Sequence, residues 1–309
     1  MSSFLNLKRN SSNNYDNLTK AVESMNSSTT YGSEDKDKNY WKCEVDKAGN
    51  GYAIIRFLPI SPQDSDENGN SKTPGGAPFV KYYDHGFQGP GGWYIENSLT
   101  SIGQADPLSE YNSHLWRTGL ESDKEQARKQ KRRLHFVANV YIVKDSKNPE
   151  NEGEVKLFKF GKKIFDKLIG SMKPQFEDET KIDPFNLWEE GANFKLKIRK
   201  IDNYQNYDLS EFESPSPLFE DDSKLEAIWK SQHSLLEVID PKNFKSYDEL
   251  KKRLDRVLGN SSVGYKPTTV EHLRSESKPV KPTLSEVESS FVDEEDDDLN
   301  YFRNLIEED

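Results

Sequence analysis

With 309 residues, 33% of them apolar and 31% charged, the chain has room for one large domain or two small ones, and its folded part must be smaller than the whole. A single cysteine, Cys43, excludes an internal disulfide and any multi-cysteine zinc site, the longest apolar run (137–143) is far too short to cross a bilayer, and residues 1–9 lack the long apolar region of a signal peptide, so a soluble intracellular chain is expected. The net charge of −11 is unevenly placed: residues 286–309 hold eleven Asp or Glu and one Arg, which leaves the rest nearly neutral.

Residues 1–35 are poor in apolar side chains and rich in Ser and Asn, with a small basic cluster at Lys8 and Arg9. They read as a flexible arm with a short helix over 16–25. From Tyr40 the pattern turns to strand. Trp41, Cys43 and Val45 alternate, 46–51 is a turn, and 52–58 is a strand closed by Pro59. Cys43 falls on the apolar phase of this pattern and reads as core filling, not as a nucleophile. A polar loop over 61–76 leads to a hairpin with strands at 79–85 and 93–96. Residues 98–123 are irregular, with Tyr111, His114, Trp116 and Arg117 on one helix.

The stretch 124–167 carries 13 Lys or Arg against 6 Asp or Glu. Arg128, Lys129, Lys131, Arg132 and Arg133 lie within six residues, ahead of an apolar run over 136–143 that reads as a buried strand. After a turn (145–153), Lys156, Phe158, Lys159 and Phe160 mix cations and rings on a second strand. An unpaired nucleic-acid strand needs this combination: cations track its phosphates, and rings stack on bases that no complement covers. A solvated charged face is the plain alternative, and the interleaved rings argue against it.

An amphipathic helix is expected over 162–172, with Ile164, Phe165, Leu168, Ile169 and Met172 inward. Its Gly161-Lys162-Lys163 start is no phosphate-binding loop, because Lys156 stands in the first glycine position and Lys163 in that of the Ser or Thr. The strand 193–201 alternates cleanly: Phe194, Leu196 and Ile198 face one side, Lys195, Lys197 and Arg199 the other. Tyr204 and Tyr207 follow. Helices are expected over 224–238 and 246–258, the second opened by a capping box from Ser246 to Glu249. Residues 260–309 read as a disordered linker and acidic tail, apart from a short amphipathic segment at 299–306. The fold class is mainly β with helical additions: five or six short strands forming an OB-fold-type barrel over 36–259, with a flexible basic arm (1–35) and a disordered acidic tail (260–309) around it.

Several spaced motifs then coincide. Ala48-Gly49-Asn50-Gly51 with Ile55-Arg56-Phe57-Leu58-Pro59, His85-Gly86-Phe87 with Trp93-Tyr94-Ile95-Glu96, Val143-Lys144-Asp145 with the 148–153 turn, Phe160-Gly161-Lys162-Lys163-Ile164, Trp188-Glu189 with Gly191-Ala192-Asn193-Phe194, and Asn206-Tyr207-Asp208 resemble the single-stranded DNA-binding proteins of T-even-type bacteriophages, in order over about 38–258. The resemblance implies a helix-destabilising protein of phage replication, recombination and repair, acting in the host cell cytoplasm and catalysing no reaction. It implies an arm that self-associates with the neighbouring protomer, for which Lys8 and Arg9 are the nearest match to the family's Lys-Arg-Lys-Ser-Thr motif, one cation short. It also implies an acidic tail that competes with DNA and recruits replication, recombination and repair proteins. The internal copy of the arm motif corresponds to Lys131, Arg132 and Arg133. DNA-contacting aromatics correspond to Phe136, Phe158, Tyr204 and Tyr207, which join Lys159, Lys195, Lys197 and Arg199 in the expected interface. The family's zinc site, one His and three Cys, is matched only by His85. Ser98, Asp106 and Ser109 hold the cysteine positions, and even with His114 three ligands leave the site open, so no metal cofactor is expected.

Two other readings remain. An RNA-binding translational regulator would use the same groove. A metal-dependent nuclease would need ordered carboxylates, whereas the acidic cluster at 293–298 lies in a segment too polar to fold.

Overall fold

The computed structural model describes residues 39–174, 176, 178–201 and 204–259. The arm, with Lys8, Arg9 and the helix expected over 16–25, and the tail, with the segment 299–306, lie outside the described residues. The described residues form two compact units, one of residues 39–86, 95–106 and 132–247, the other of 87–94, 107–131 and 248–259.

The architecture is mainly β with some helices. The strands are β1 Tyr40–Trp41, β2 Gly51–Phe57, β3 Phe79–Gly89, β4 Gly92–Asn97, β5 Arg133–Asp145, β6 Val155–Phe160, β7 Phe194–Ile201, β8 Tyr204–Asn206 and β9 Glu211–Phe212. The helices are α1 Pro107–Arg117, α2 Glu121–Lys129, α3 Lys162–Met172, α4 Asp222–Lys230 and α5 Tyr247–Leu258. Strand β5 is the spine. Its first half takes β3 and its second half β2, while β6 pairs along the other edge, all antiparallel. The hydrogen-bonded path runs β1-β6-β5-β2-β7-β8, with β3 also on β5, β4 on β3 and β9 on β7. Among the described residues this path does not return to its start, so the sheet is open and not the closed barrel expected from the strand count.

Strand alternation sorts the apolar residues. Phe136, Ala138, Val140 and Ile142 of β5 face the main core with Ile55, Phe57, Phe158, Phe160, Phe194, Leu196 and Ile198. Helix α3 closes it with Ile164, Leu168 and Met172, on the face its periodicity marks. Burying each such side chain stabilises the fold by about 1.5–3 kcal/mol. Cys43 belongs to this core, where burial first, then the charges of Asp145 and Glu44, push its thiol up to about 11. The other side of the sheet is covered in turn: Val80, Tyr82, Val137 and Leu157 pack with Leu235 and Val238.

Arg56 is fully buried yet satisfied. Its Nε donates to Asn193 Oδ1 (3.0 Å), Nη1 to the Asn186 carbonyl (3.0 Å) and Nη2 to that of Ser216 (2.8 Å). Burial still draws the guanidinium down to about 10. Only glycine fits at 191, since a Cβ there would stand 2.0 Å from the Asn186 oxygen and 2.5 Å from Arg56 Nη1.

Two helical expectations change. The helix expected over 224–238 stops at Lys230, because the next segment is bonded elsewhere. Asn139 exchanges two hydrogen bonds with the His233 backbone (2.9 and 3.0 Å), and the Asp64 carboxylate accepts from Ser234 Oγ and Leu235 N (both 2.6 Å). In the second unit, the region read as irregular with one helix holds two, α1 and α2, joined through Leu115 and Ala127. Arg128 and Lys129 therefore end a helix, paired with Glu121 (2.6 Å) and Glu125 (2.8 Å).

Candidate nucleic-acid interface

The basic run around 131–133 is divided by the sheet it enters. Neighbouring strand residues face opposite sides, and β3 receives Arg132 and Arg133 accordingly. Arg132 lies over the Tyr83 ring (4.2 Å) and donates to Thr100 Oγ1 (2.6 Å), near the buried Lys81. Burial, then the charge of Arg132, lowers the Lys81 ammonium below its usual range. Arg133 faces the other way, in register with Asp84, and bonds its carboxylate through Nε at 2.8 Å. Lys131 precedes both and is half-buried.

Asp84 gathers three nitrogens. Besides Arg133, it meets His135 Nε2 at 3.0 Å and Lys159 Nζ at 3.4 Å, from β5 and β6. Burial alone would raise its carboxyl, but the bond from His135 and the charges of His135, Lys159 and Arg133 outweigh that and hold it well below the usual carboxylate range. Lys159 also lies 4.9 Å from the Tyr82 ring centroid. Asp84, Tyr82, Tyr83, Lys81 and His135 were absent from the expected interface. Their signal was present in Lys81-Tyr82-Tyr83-Asp84, which has the same cation–ring mixture as β6.

Strand β7 presents Lys195, Lys197 and Arg199 on its outer face, as its alternation requires, but each is held by an acid. Lys195 meets Glu213 (3.2 Å), Lys197 meets Glu211 (2.7 Å), and Arg199 makes a two-pronged contact with Asp208. The positive face is therefore partly neutralised.

The aromatic expectations divide. Phe136 and Phe158 are core residues, 3% and 5% exposed. Phe136 stacks on Phe165 at 3.9 Å and 4°, and Phe158 packs on Trp41 and Phe160, both at 5.4 Å. Their register explains this, since Phe158 sits opposite Ala138 on the core face. With neighbours on their faces both rings are packed in the core, and this geometry lends no support to the expectation that they stack on DNA. Tyr204, on β8, is 79% exposed. Tyr207 is half-buried against the core, its hydroxyl donating to Gln205 Oε1 (3.2 Å) and its phenol raised by burial.

A cleft of about 560 Å³ lies in the first unit, lined by Tyr40, Lys42, Glu44, Asn148, Lys156 and Gln205 among others. Gln205 adjoins the exposed Tyr204, and Tyr40 packs with the cluster that contains Tyr82. The exposed ring thus adjoins a residue of the cleft, and cleft and cationic cluster belong to the same unit.

The zinc positions hold a poor donor set. His85 Nε2 lies 3.3 Å from Asp106 Oδ1, both side chains fully buried, and Asp106 Oδ2 accepts from the Leu99 amide at 3.0 Å. Ser98 Oγ is hydrogen-bonded to Thr100 Oγ1 at 3.0 Å. Serine hydroxyls stay protonated near neutrality, and a structural zinc site needs four thiolate, imidazole or carboxylate donors. Among the described residues no group of three His, Cys, Asp or Glu able to hold a metal ion occurs. Nor is any described helix long and apolar enough to cross a membrane.

Cations, an exposed ring and a polar cleft along a mainly β unit are the features of a nucleic-acid-binding surface. Residues 49–258 match the family described as gp32 DNA binding protein like, which is more than half of the chain, and the chain belongs to that family. It is 37% identical over 240 residues to the single-stranded DNA-binding protein of Enterobacteria phage T2, covering 75% of this chain and 74% of that one. To its counterpart in Enterobacteria phage T4 it is 36% identical over 254 residues, covering 80% and 78%. A shorter match, 42% over 84 residues, joins it to the single-stranded DNA-binding protein of Escherichia phage SV14, covering 26% and 65%.

Proposed function

We propose that this protein binds single-stranded DNA with little sequence preference, catalyses no reaction, and protects and organises that strand during phage replication, recombination and repair in the host cytoplasm. Family membership supports the reading. The observation that carries it is the presence in one unit of the exposed Tyr204, the cleft with Lys42 and Lys156, and the Lys159–Arg133 cluster. Tyr204 serves as a stacking platform, while Lys131, Arg132, Arg133 and Lys159 neutralise phosphates. Lys195, Lys197 and Arg199 contribute when DNA displaces their carboxylate partners. The open sheet is read as an OB-type core, supported by its family and its single spine strand. Cooperative self-association through Lys8 and Arg9, and partner recruitment by the tail, rest on the resemblance. The chain folds without zinc, because its donor set suits none.

Fluorescence titration with poly(dT) at several salt concentrations tests the central claim. Four to seven neutralised phosphates on a single strand give a log–log slope of about −3 to −5. Replacing Lys131 and Arg132 by Ala makes it shallower. Binding that ignores salt, or that prefers duplex, overturns the reading.

A further inference from the structure

The Asp84 carboxylate sits where a phosphate would be held. Arg133 Nε, His135 Nε2 and Lys159 Nζ converge on its two oxygens from two strands, at 2.8, 3.0 and 3.4 Å. Arg133 and Lys159 are 53% and 39% exposed at the side chain, whereas the carboxylate between them is only 13% exposed. The guanidinium lies against Gly86, which leaves it room, since a Cβ there would stand 2.3 Å from Nη2. An anion with N–H donors of Arg, Lys and His around it is the arrangement by which basic clusters grip phosphate. Here the anion is covalently part of β3 and enclosed, so it cannot swing away. It competes by its charge and not by leaving.

We infer that Asp84 is an internal phosphate surrogate that attenuates nucleic-acid binding, cancelling one positive charge of the Arg133–His135–Lys159 cluster so that the strand is held less tightly and released more readily. The inference rests on the proposed reading of this surface as the single-stranded DNA interface. A carboxylate this enclosed needs several donors for its lone pairs, so the number of partners alone assigns no role, and the weight falls on where those partners face. Of the three nitrogens, His135 Nε2 is buried beside the carboxylate, whereas Arg133 and Lys159 stay open to solvent, where a phosphate can reach them.

The test uses the full chain and poly(dT), titrated at several salt concentrations. The variants are Asp84→Asn, which keeps the shape and removes the charge, Asp84→Ser as a second route should Asn disturb folding, Arg133→Gln, and Asp84→Asn combined with Arg133→Gln. Melting curves accompany each. The expected result is binding about three- to tenfold tighter at low salt for the Asp84 variants, even where the melting temperature falls. The log–log slope should steepen by about 0.7, one further phosphate neutralised. Arg133→Gln should cost a larger fold-change in the Asp84→Asn background than alone, the sign of coupling between the two. Folded Asp84 variants that bind no tighter, with the slope unchanged, overturn the inference and leave the functional reading standing. A wild-type protein without salt-dependent binding to poly(dT) overturns the functional reading itself, before any variant is compared.

Discussion

Phe158 and Tyr204 are both rings close to cations in the chain, and their surroundings give them opposite roles. Phe158 is enclosed by Trp41, Phe57 and Phe160, so Phe158→Ala should cost about 3–5 kcal/mol of stability, as buried aromatics do, read from urea unfolding without DNA. Tyr204→Ala should leave that unfolding curve in place and remove about 1–3 kcal/mol of binding to poly(dT). Reversed outcomes would exchange the two assignments. Asp183 carries a pH signature of its own. Burial, with a smaller push from Glu190, raises its carboxyl from 3.8 to about 6. The folded state therefore holds a proton that the unfolded chain has released, so the contribution is fully present below about pH 4 and is lost as pH rises through about 6. At about 1.4 kcal/mol per pH unit the swing is about 3 kcal/mol. Asp183→Asn should flatten the stability profile between pH 4 and 7, and a variant with the wild-type slope would place the proton elsewhere. At this scale the alternation of β7 was legible because a half-buried strand shows its period directly. The even positions of β5 and β6 show the same period, but Phe is as common on a core face as on a binding face, and only register with Ala138 decides between them.

Elements whose reasons are local were legible in the sequence. Helix α3 spans Lys162–Met172, the bounds its apolar spacing marks, with Ile164, Leu168 and Met172 inward. The stop of α4 at Lys230 was not, because its cause lies far off in sequence. Asp64 accepts hydrogen bonds from Ser234 and Leu235, and Asn139 clasps the His233 backbone, which together outweigh the helical preference of 231–238. Asp64 is fully buried, and Asp64→Ala leaves those donors without an acceptor, each charged hydrogen bond being worth about 1.5–3 kcal/mol. A loss of at least about 3 kcal/mol is expected in urea unfolding. A loss under 1 kcal/mol would show that the segment holds its course without that carboxylate.

Across the whole molecule, charge is unevenly placed. If residues 286–309 compete with DNA, as the family resemblance implies, their net charge of −10 acts as a tethered ligand, and tethering through a short flexible linker gives effective concentrations in the millimolar range. Removing those residues should raise duplex-melting activity, most at low salt where screening is weakest, and weaker melting after truncation would refute competition by the tail. Full-length protein purified without chelator should contain no stoichiometric zinc and keep its melting temperature in EDTA. One equivalent of metal, or a clear fall on chelation, would reverse the zinc proposal. The openness of the sheet was not legible, because strand count is local information whereas pairing of β5 with β2 and β3 joins segments distant in sequence.

Cys43, the one thiol in the chain and a buried neighbour of the cleft, makes the protein its own reporter. With the thiol pushed up to about 11 and shut from solvent, alkylation at neutral pH has to wait for the segment around β1 to open, since only the thiolate reacts appreciably. The rate of a mass shift under a thiol reagent therefore clocks that opening without any introduced label. A strand lying along the cleft would slow the clock, so a single native atom reads out occupancy from inside the fold.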